Sequence, residues 1–370
     1  MMILECCPFS AGFIMMYRCT LVEISSDVNQ QLVLRDRPTG VVTDDSFELV
    51  EEPVAQPRPG QVLVQTLWLS FEPAQRGWLN DVRSYVPPVA IGEVMRSWGV
   101  GQVIESAHPD FHAGQLVHGT LQWQTHALLD LTEETNPPTE LAPIPDEVGD
   151  PMLMLSVAGV TGMTAYFGMR YIGQPVAGDT VLVTAAAGAT GSVAGQVARN
   201  LGAGPVIGTA GAEDKRAWVR DVAGFDDCID HYDEKVRRRL KEAAPNGYDV
   251  VFDNVGGALL DAALFNIAEH GRLALCGSIS TGYRPERPEI GLHHYQLLTT
   301  RRARMEGFLL YDFEERFAEA RRALLGWYAD GRLRVEHDIL EGLPNAPLGL
   351  RRLFDGGNLG KQILHVADPS

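Results

Sequence analysis

Basic charge is in short supply in this sequence. Against 48 acidic side chains stand 31 lysines and arginines, a formal net charge of −17 over 370 residues. That balance argues against nucleic acid and against an anionic membrane surface as partners, while leaving room for a local basic patch that holds one phosphate. Cysteine is scarce too. The five present, Cys6, Cys7, Cys19, Cys228 and Cys276, are odd in number and irregularly spaced. A disulfide framework is therefore not expected, and a reducing compartment, the cytoplasm, is. No Cys-x-x-Cys pair exists, and residues 29–149 contain no cysteine. His108, His112, His118 and His126 are spread along loops and strands, with no i, i+4 pair on a helix, so no metal site is expected. The apolar pieces of residues 1–28 are too short and interrupted to span a membrane. They also lack a basic start and a small-residue cleavage site, so the segment reads as an appendage outside the catalytic body.

What is present is an ordinary globular composition, 45% hydrophobic and 21% charged, with room for two domains. The chain is organised around Thr180 to Arg199. Val181-Leu182-Val183 is an apolar run typical of a buried parallel strand. A turn of small residues follows, Ala185 to Gly191, and then apolar positions at helical spacing. Ala186, Gly188 and Gly191 make an Ala-x-Gly-x-x-Gly version of a dinucleotide-binding turn. Gly188 would let the backbone approach a pyrophosphate, and Gly191 would let helix and strand pack closely. The free amides of Ala187, Ala189 and Thr190 at the helix start would face the phosphates.

The rest of the chain sorts around that unit. Short strands are predicted at Gln30–Leu34, Ser46–Glu51, Gly60–Leu69, Gly99–Glu105, Leu116–Gly119 and Trp123–Leu128, an all-β region in the form of a partly open barrel. From Asp150 the pattern changes, with a helix over Leu153–Tyr171. Strands then alternate with helices: Val206–Ile207, Asp227–Asp230, Tyr248–Asp253, Arg272–Cys276 and Arg304–Leu310. Such alternation means a doubly wound parallel sheet. A helix at Phe313–Asp330 and a last strand at Gln362–Val366 complete the chain, the strand returning to the β domain. The expected division is 1–28 as extension, 29–149 with 313–370 as the β domain, and 150–312 as the nucleotide domain.

With these residues in view, the chain resembles the zinc-independent medium-chain dehydrogenases/reductases, in the branch of prostaglandin/leukotriene, curcumin and alkenal reductases. The motifs are Leu69-Ser-Phe-Glu-Pro-Ala-Gln-Arg-Gly77, Ser84-Tyr-Val-Pro-Pro88, Gly92-Glu-Val-Met95, Gly162-Met-Thr-Ala-Tyr166, Ala185 to Gly191, Phe252-Asp-Asn-Val-Gly256 and Gly357-Asn-Leu-Gly-Lys361. The resemblance implies an α/β protein with a GroES-like β domain and a Rossmann domain, and NADPH-dependent reduction of an activated C=C bond, often by a homodimer. The chain departs from the family at Ala74, where a tyrosine usually lines the substrate mouth. It departs again at Gly282, where the family tyrosine falls one place before Tyr283.

The second strand ends in Gly208-Thr-Ala-Gly211, with no acid to hold a ribose diol. Lys215 and Arg216 can instead face a 2′-phosphate, and the family places its phosphate-binding lysine at Lys215. Asn254 ends the fourth strand, on the edge where open α/β sheets bind ligands. Tyr283 is the catalytic candidate, a phenol able to donate to the oxygen on which charge develops when an enone is reduced. The family also brings Thr164, Tyr166, Gly211, Cys276, Gly277, Ile279 and Asn358 to the cofactor, and its tyrosine near the adenosine phosphate aligns with His231, beside Tyr232. Each has a plain structural alternative: a turn for either asparagine, a packed strand end for Cys276, a core position for Tyr166. The expected activity is reduction of α,β-unsaturated aldehydes and ketones. The alternatives are a quinone reductase of the same superfamily and a non-catalytic NADPH-binding protein.

Overall fold

The computed structural model describes residues 27–284 and 291–369. The expected extension, residues 1–28, therefore lies outside the described residues except for its last two. Val28 already belongs to the first strand.

Seven strands come first: β1 (Val28–Leu34), β2 (Phe47–Pro53), β3 (Gln61–Ser70), β4 (Gly99–Ser106), β5 (Leu116–Gly119), β6 (His126–Asp130) and β7 (Leu141–Pro143). β1 and β2 pair antiparallel as a separate ribbon. β3 is long enough to take two partners along one edge. Gln61–Gln65 pairs with β6, and Trp68–Ser70 pairs with β15 (Lys361–His365) near the end of the chain. With β14 (His337–Glu341) the sheet order is β14-β15-β3-β4-β5-β7. This is the curled, GroES-like lobe. The fully buried Trp123 plugs it, its ring 4.9 Å from Phe47 and 5.8 Å from Phe71 between centroids. β6 begins later than the expected Trp123 because Gln122 has a positive φ of 63° and Trp123 donates to Met95 and accepts from Leu32 of β1, away from β3.

The second lobe is a parallel sheet of six strands: β8 (Val181–Val183), β9 (Val206–Ala210), β10 (Asp227–Asp230), β11 (Tyr248–Asp253), β12 (Ile267–Leu275) and β13 (Arg304–Gly307). Their order is β10-β9-β8-β11-β12-β13, so the chain reverses direction across the sheet between β8 and β11. Val181, Leu182 and Val183 are buried, as strands covered on both faces must be. Among the described residues no helix is long and apolar enough to cross a membrane.

Two expectations need correction. The helix predicted over Leu153–Tyr171 is a 3₁₀ turn (Pro151–Leu155), an α-helix (Val160–Phe167) and a π-helical stretch (Gly168–Gly173). The breaks fall at glycines in tight quarters. A Cβ on Gly159, which caps the α-helix, would stand 2.3 Å from the Met154 carbonyl oxygen, and one on Gly168, where the π-helical stretch begins, 2.5 Å from the Phe252 ring. The strand expected over Arg304–Leu310 stops at Gly307. The helix Phe317–Ala329 packs on Val160–Phe167, and Glu319 accepts from Tyr166 (2.9 Å) and Tyr171 (2.8 Å), so it shares the nucleotide lobe's core.

Candidate cofactor and substrate cleft

The turn after β8 is shaped by contact more than by flexibility. Ala185 has a positive φ of 51°, and Gly188 caps the helix Ala189–Asn200. A Cβ on Gly191 would lie 2.3 Å from the Ala185 carbonyl oxygen, so only glycine lets the helix sit this close to the turn. The first helical amides, Ala189, Thr190 and Gly191, precede the intrahelical ladder, which Ser192 opens by donating to Gly188. Amides without an intrahelical acceptor, at the positive end of a helix, are suited to a pyrophosphate.

A segment of the β lobe lies along this turn. Gly360 donates to the Ala187 carbonyl at 2.8 Å and forms a parallel bridge with Gly188. Lys215, at the start of the helix Glu213–Asp221, donates to the carbonyls of Gly356 (2.7 Å) and Asn358. Partial burial lowers the Lys215 pKa. The Asn358 amide closes its own turn on Gly360 at 2.9 Å, the plain reading of that residue. Arg216 is committed elsewhere, to Glu213 (2.6 Å), Asp230 (2.9 Å) and the Gly211 carbonyl. The ring of Tyr232 covers Gly211, where a Cβ would come within 2.6 Å of it, and the tyrosine is otherwise 77% exposed. Lys215 and Tyr232 thus flank the tips of β9 and β10.

Where the sheet reverses, Thr184 and Asp253 face each other across the ends of β8 and β11. The buried Thr184 hydroxyl donates to Asp253 at 2.8 Å and accepts from the Asn254 amide at 2.8 Å. Asp253 also accepts from Gly256 (2.8 Å) and Val255, so it makes the turn that the plain reading gave to Asn254. Burial raises the Asp253 pKa. The Asn254 side chain donates to the Thr184 carbonyl at 2.7 Å, and its own carbonyl accepts from Ile279. Cys276 and Gly277 both donate their amides to Asp253. Burial, with Asp253 adding to it, pushes the Cys276 thiol up to about 12, which suits a packed strand end and not a nucleophile. Thr164 bonds back to Val160 at 2.7 Å within its own helix.

Tyr283 reaches this edge by an unusual backbone path. Gly282 and Tyr283 both have left-handed φ, 66° and 51°. Two such residues in succession turn the ring back toward the sheet, where its hydroxyl meets the Ser278 amide. The Tyr283 hydroxyl accepts from the Ser278 amide at 3.2 Å, leaving its own proton to donate. Burial raises its pKa to about 12. The β lobe holds its backbone: Asn80 donates to the Tyr283 carbonyl at 2.7 Å, and the buried Arg76 fixes Asn80 at 2.6 Å while donating to the Gly40 and Pro38 carbonyls.

The facing wall was not foreseen in the sequence. Lys361 and Glu72, both buried, pair at 2.8 Å, and Lys361 also donates to the Phe71 carbonyl. Glu72 belongs to the Glu-Pro-Ala-Gln-Arg-Gly stretch and Lys361 to the Gly-Asn-Leu-Gly-Lys stretch, yet nothing local signals their meeting. A small cavity of about 20 Å³ opens beside them, lined by Ser70, Trp98, His118, Glu140, Val160, Tyr311 and Arg321 among others. Burial, with Arg321 nearby, pushes His118 down to about 4, so it is neutral at pH 7. Among the described residues no three His, Cys, Asp or Glu side chains stand together to hold a metal ion.

Comparison with known proteins agrees with this architecture. Residues 30–137 match the family described as the N-terminal domain of oxidoreductase, and residues 189–325 match that described as zinc-binding dehydrogenase. The NADPH-dependent curcumin reductase of Escherichia coli (strain K12) is 36% identical over 92% of this chain and 97% of its own. The 2-alkenal reductase (NADP(+)-dependent) of Nicotiana tabacum is 34% identical over 92% and 98%. The crystal structure of CurA in complex with NADPH from Vibrio vulnificus superposes with a TM-score of 0.85 at 35% identity, covering 92% of this chain and all of that one. The chain belongs to the medium-chain dehydrogenase/reductase family, in the branch of the curcumin, alkenal and prostaglandin reductases.

Proposed function

We propose that the chain is an NADPH-dependent reductase of activated carbon–carbon double bonds in α,β-unsaturated aldehydes and ketones. The residues fit that cofactor. The Gly188–Gly191 turn accommodates a pyrophosphate against Ala187, Ala189 and Thr190. Lys215 would hold a 2′-phosphate beside Gly211, Tyr232 and Asn358, and the tip of β9 carries no acid. Asn254, Cys276, Gly277, Ile279 and Thr164 would border the nicotinamide half. When bound, NADPH supplies the hydride that adds to the substrate's β-carbon.

The observation that carries the reading is Tyr283: a phenol at the carboxyl edge of the sheet, its acceptor side occupied by the Ser278 amide and its proton free. As the β-carbon is reduced, negative charge collects on the carbonyl oxygen. A fixed hydrogen-bond donor there stabilises the transition state more than the ground state. A pKa of about 12 keeps the phenol protonated at neutral pH, so it serves as donor throughout. Arg76 and Asn80 hold the loop that presents it. The relatives named for curcumin and 2-alkenal reduction support the substrate class.

The test is to mix the purified chain with NADPH or NADH and a panel of simple enones, enals and quinones, and follow the loss of cofactor absorbance. Enone turnover with preference for NADPH is the expected result. Oxidation by quinones alone would move the protein to the quinone reductases. Cofactor binding without any turnover would make it a binding protein.

A further inference from the structure

The tail segment along the cofactor turn presents three carbonyls in succession, and each is taken by a cation. Lys215, from the nucleotide lobe, donates to Gly356 at 2.7 Å and to Asn358. Arg352, from the helix Ala346–Asp355 of the β lobe, donates to Gly357 between them at 2.7 Å. The same guanidinium nitrogen donates to the carboxylate of Asp338, on β14, at 2.7 Å. The Asp338 oxygen that receives it also accepts from the Leu359 amide at 3.3 Å. Arg352 and Asp338 thus hold the turn at Gly357 and Leu359, on either side of Asn358. The turn also packs on the arginine stem: a Cβ on Gly357 would stand 3.3 Å from Arg352 Cγ.

An ammonium group has three protons to donate. With two given to Gly356 and Asn358, the direction of the third is fixed, and that proton is the one a 2′-phosphate can take. The aim of Lys215 therefore depends on where those two carbonyls stand. Arg352 sets their place through Gly357. Lysine carries its charge on a flexible four-carbon stem, so a loose turn would let that charge wander. Engaging a donor already held in place costs less ordering entropy than engaging a mobile one.

We infer that Arg352 is a positioning residue for cofactor choice: by holding the Gly357 carbonyl it aims Lys215 at the 2′-phosphate and raises the preference for NADPH over NADH. It acts through Lys215 and not on the phosphate directly. Asp338 holds Arg352 in turn, so β-lobe residues tune a phosphate site that the nucleotide lobe carries.

This inference rests on the NADPH reading, and a binding experiment that needs no turnover separates the two. Dissociation constants for NADPH and NADH are measured by fluorescence titration. The two ligands differ by the 2′-phosphate alone, so their ratio reads that site. Arg352→Met keeps the apolar stem and removes both hydrogen bonds. It is expected to lower the preference for NADPH by about tenfold, the scale of one hydrogen bond to a charged group, with NADH binding changed by less than about twofold. Arg352→Lys, which can still donate to Gly357, is expected to restore most of the preference. In the Lys215→Ala background, Arg352→Met should alter the ratio by less than about twofold, because a residue acting through another has nothing left to act on. An unchanged preference in Arg352→Met overturns the inference, as does an equal loss for both cofactors. A full loss of about tenfold in the Lys215→Ala background also overturns it, by making Arg352 a direct partner of the phosphate. Should Arg352→Met fail to fold, Asp338→Asn takes its place. Loosening Arg352 is expected to lower the preference by about threefold, whereas merely removing a negative charge near a phosphate would raise it, so a rise overturns the inference. A wild type that binds NADPH no better than NADH fails the NADPH reading. A wild type that prefers NADPH, with a variant that keeps the preference, fails the inference alone.

Discussion

The two lobes meet the cleft with different materials. The parallel lobe offers backbone: the amides at Ala189–Gly191 and the carbonyls that tie Asn254 in place. The β lobe offers buried charged side chains: Glu72, Lys361 and Arg76. Backbone recognition suits a cofactor shared by many enzymes, because a glycine turn at a helix start will accept any pyrophosphate. Side-chain recognition suits a substrate that differs between relatives, since exchanging one residue alters it.

The sharpest way to break that contrast is at the β-lobe pair. Lys361→Met leaves Glu72 buried and unpaired, and should cost about 3–5 kcal/mol of stability, read as a large fall in denaturant midpoint. A loss below about 1 kcal/mol would mean that the pair is solvated and that the wall is not built on buried charge. Next in size is Tyr283→Phe, which removes one donor to the developing oxyanion and should lower kcat/KM by about 10²–10³-fold with NADPH binding nearly unchanged. A change under fivefold would take Tyr283 out of catalysis. Lys215→Ala should weaken NADPH by roughly ten- to a hundredfold and NADH far less, read by fluorescence titration. An equal loss for both cofactors would assign Lys215 to loop structure instead.

The smallest expected effect concerns pH. The folded-state pKa of His118, about 4, lies below its unfolded value of 6.5. The unfolded chain thus binds the proton more tightly, so stability is full above pH 6.5 and is lost as pH falls toward 4. By pH 5.5 the loss should be about 1 kcal/mol, and His118→Gln should remove that part of the slope in thermal melts between pH 7 and 5.5. Parallel slopes in the two proteins would show that His118 is solvated.

The same contrast explains what could be read from the sequence. β10 and β11 lie where expected, because a short apolar run between turn residues has one comfortable home in a parallel sheet. The turn from Ala185 to Gly191 was legible for a related reason: the close approach it needs is encoded in neighbouring residues. Lys361 and Glu72 are 289 positions apart, and neither carries a local mark of its partner. The Arg76–Asn80–Tyr283 strut was hidden for the same reason. The helices Val236–Ala243 and Ala346–Asp355 went unrecognised although both are amphipathic, each ending against other parts of the chain that fix which face is inward. Tyr283 was singled out by family likeness alone, and the left-handed pair Gly282–Tyr283 that brings its ring to the sheet edge leaves no mark in the sequence.

The bond from Gly360 to Ala187 fastens the tail of the β lobe to the very turn that receives the pyrophosphate. That bond ties the two lobes together at this margin, as a spine holds the covers of a book. Deuterium uptake at the Gly360 amide should accordingly stay slow, with or without nucleotide.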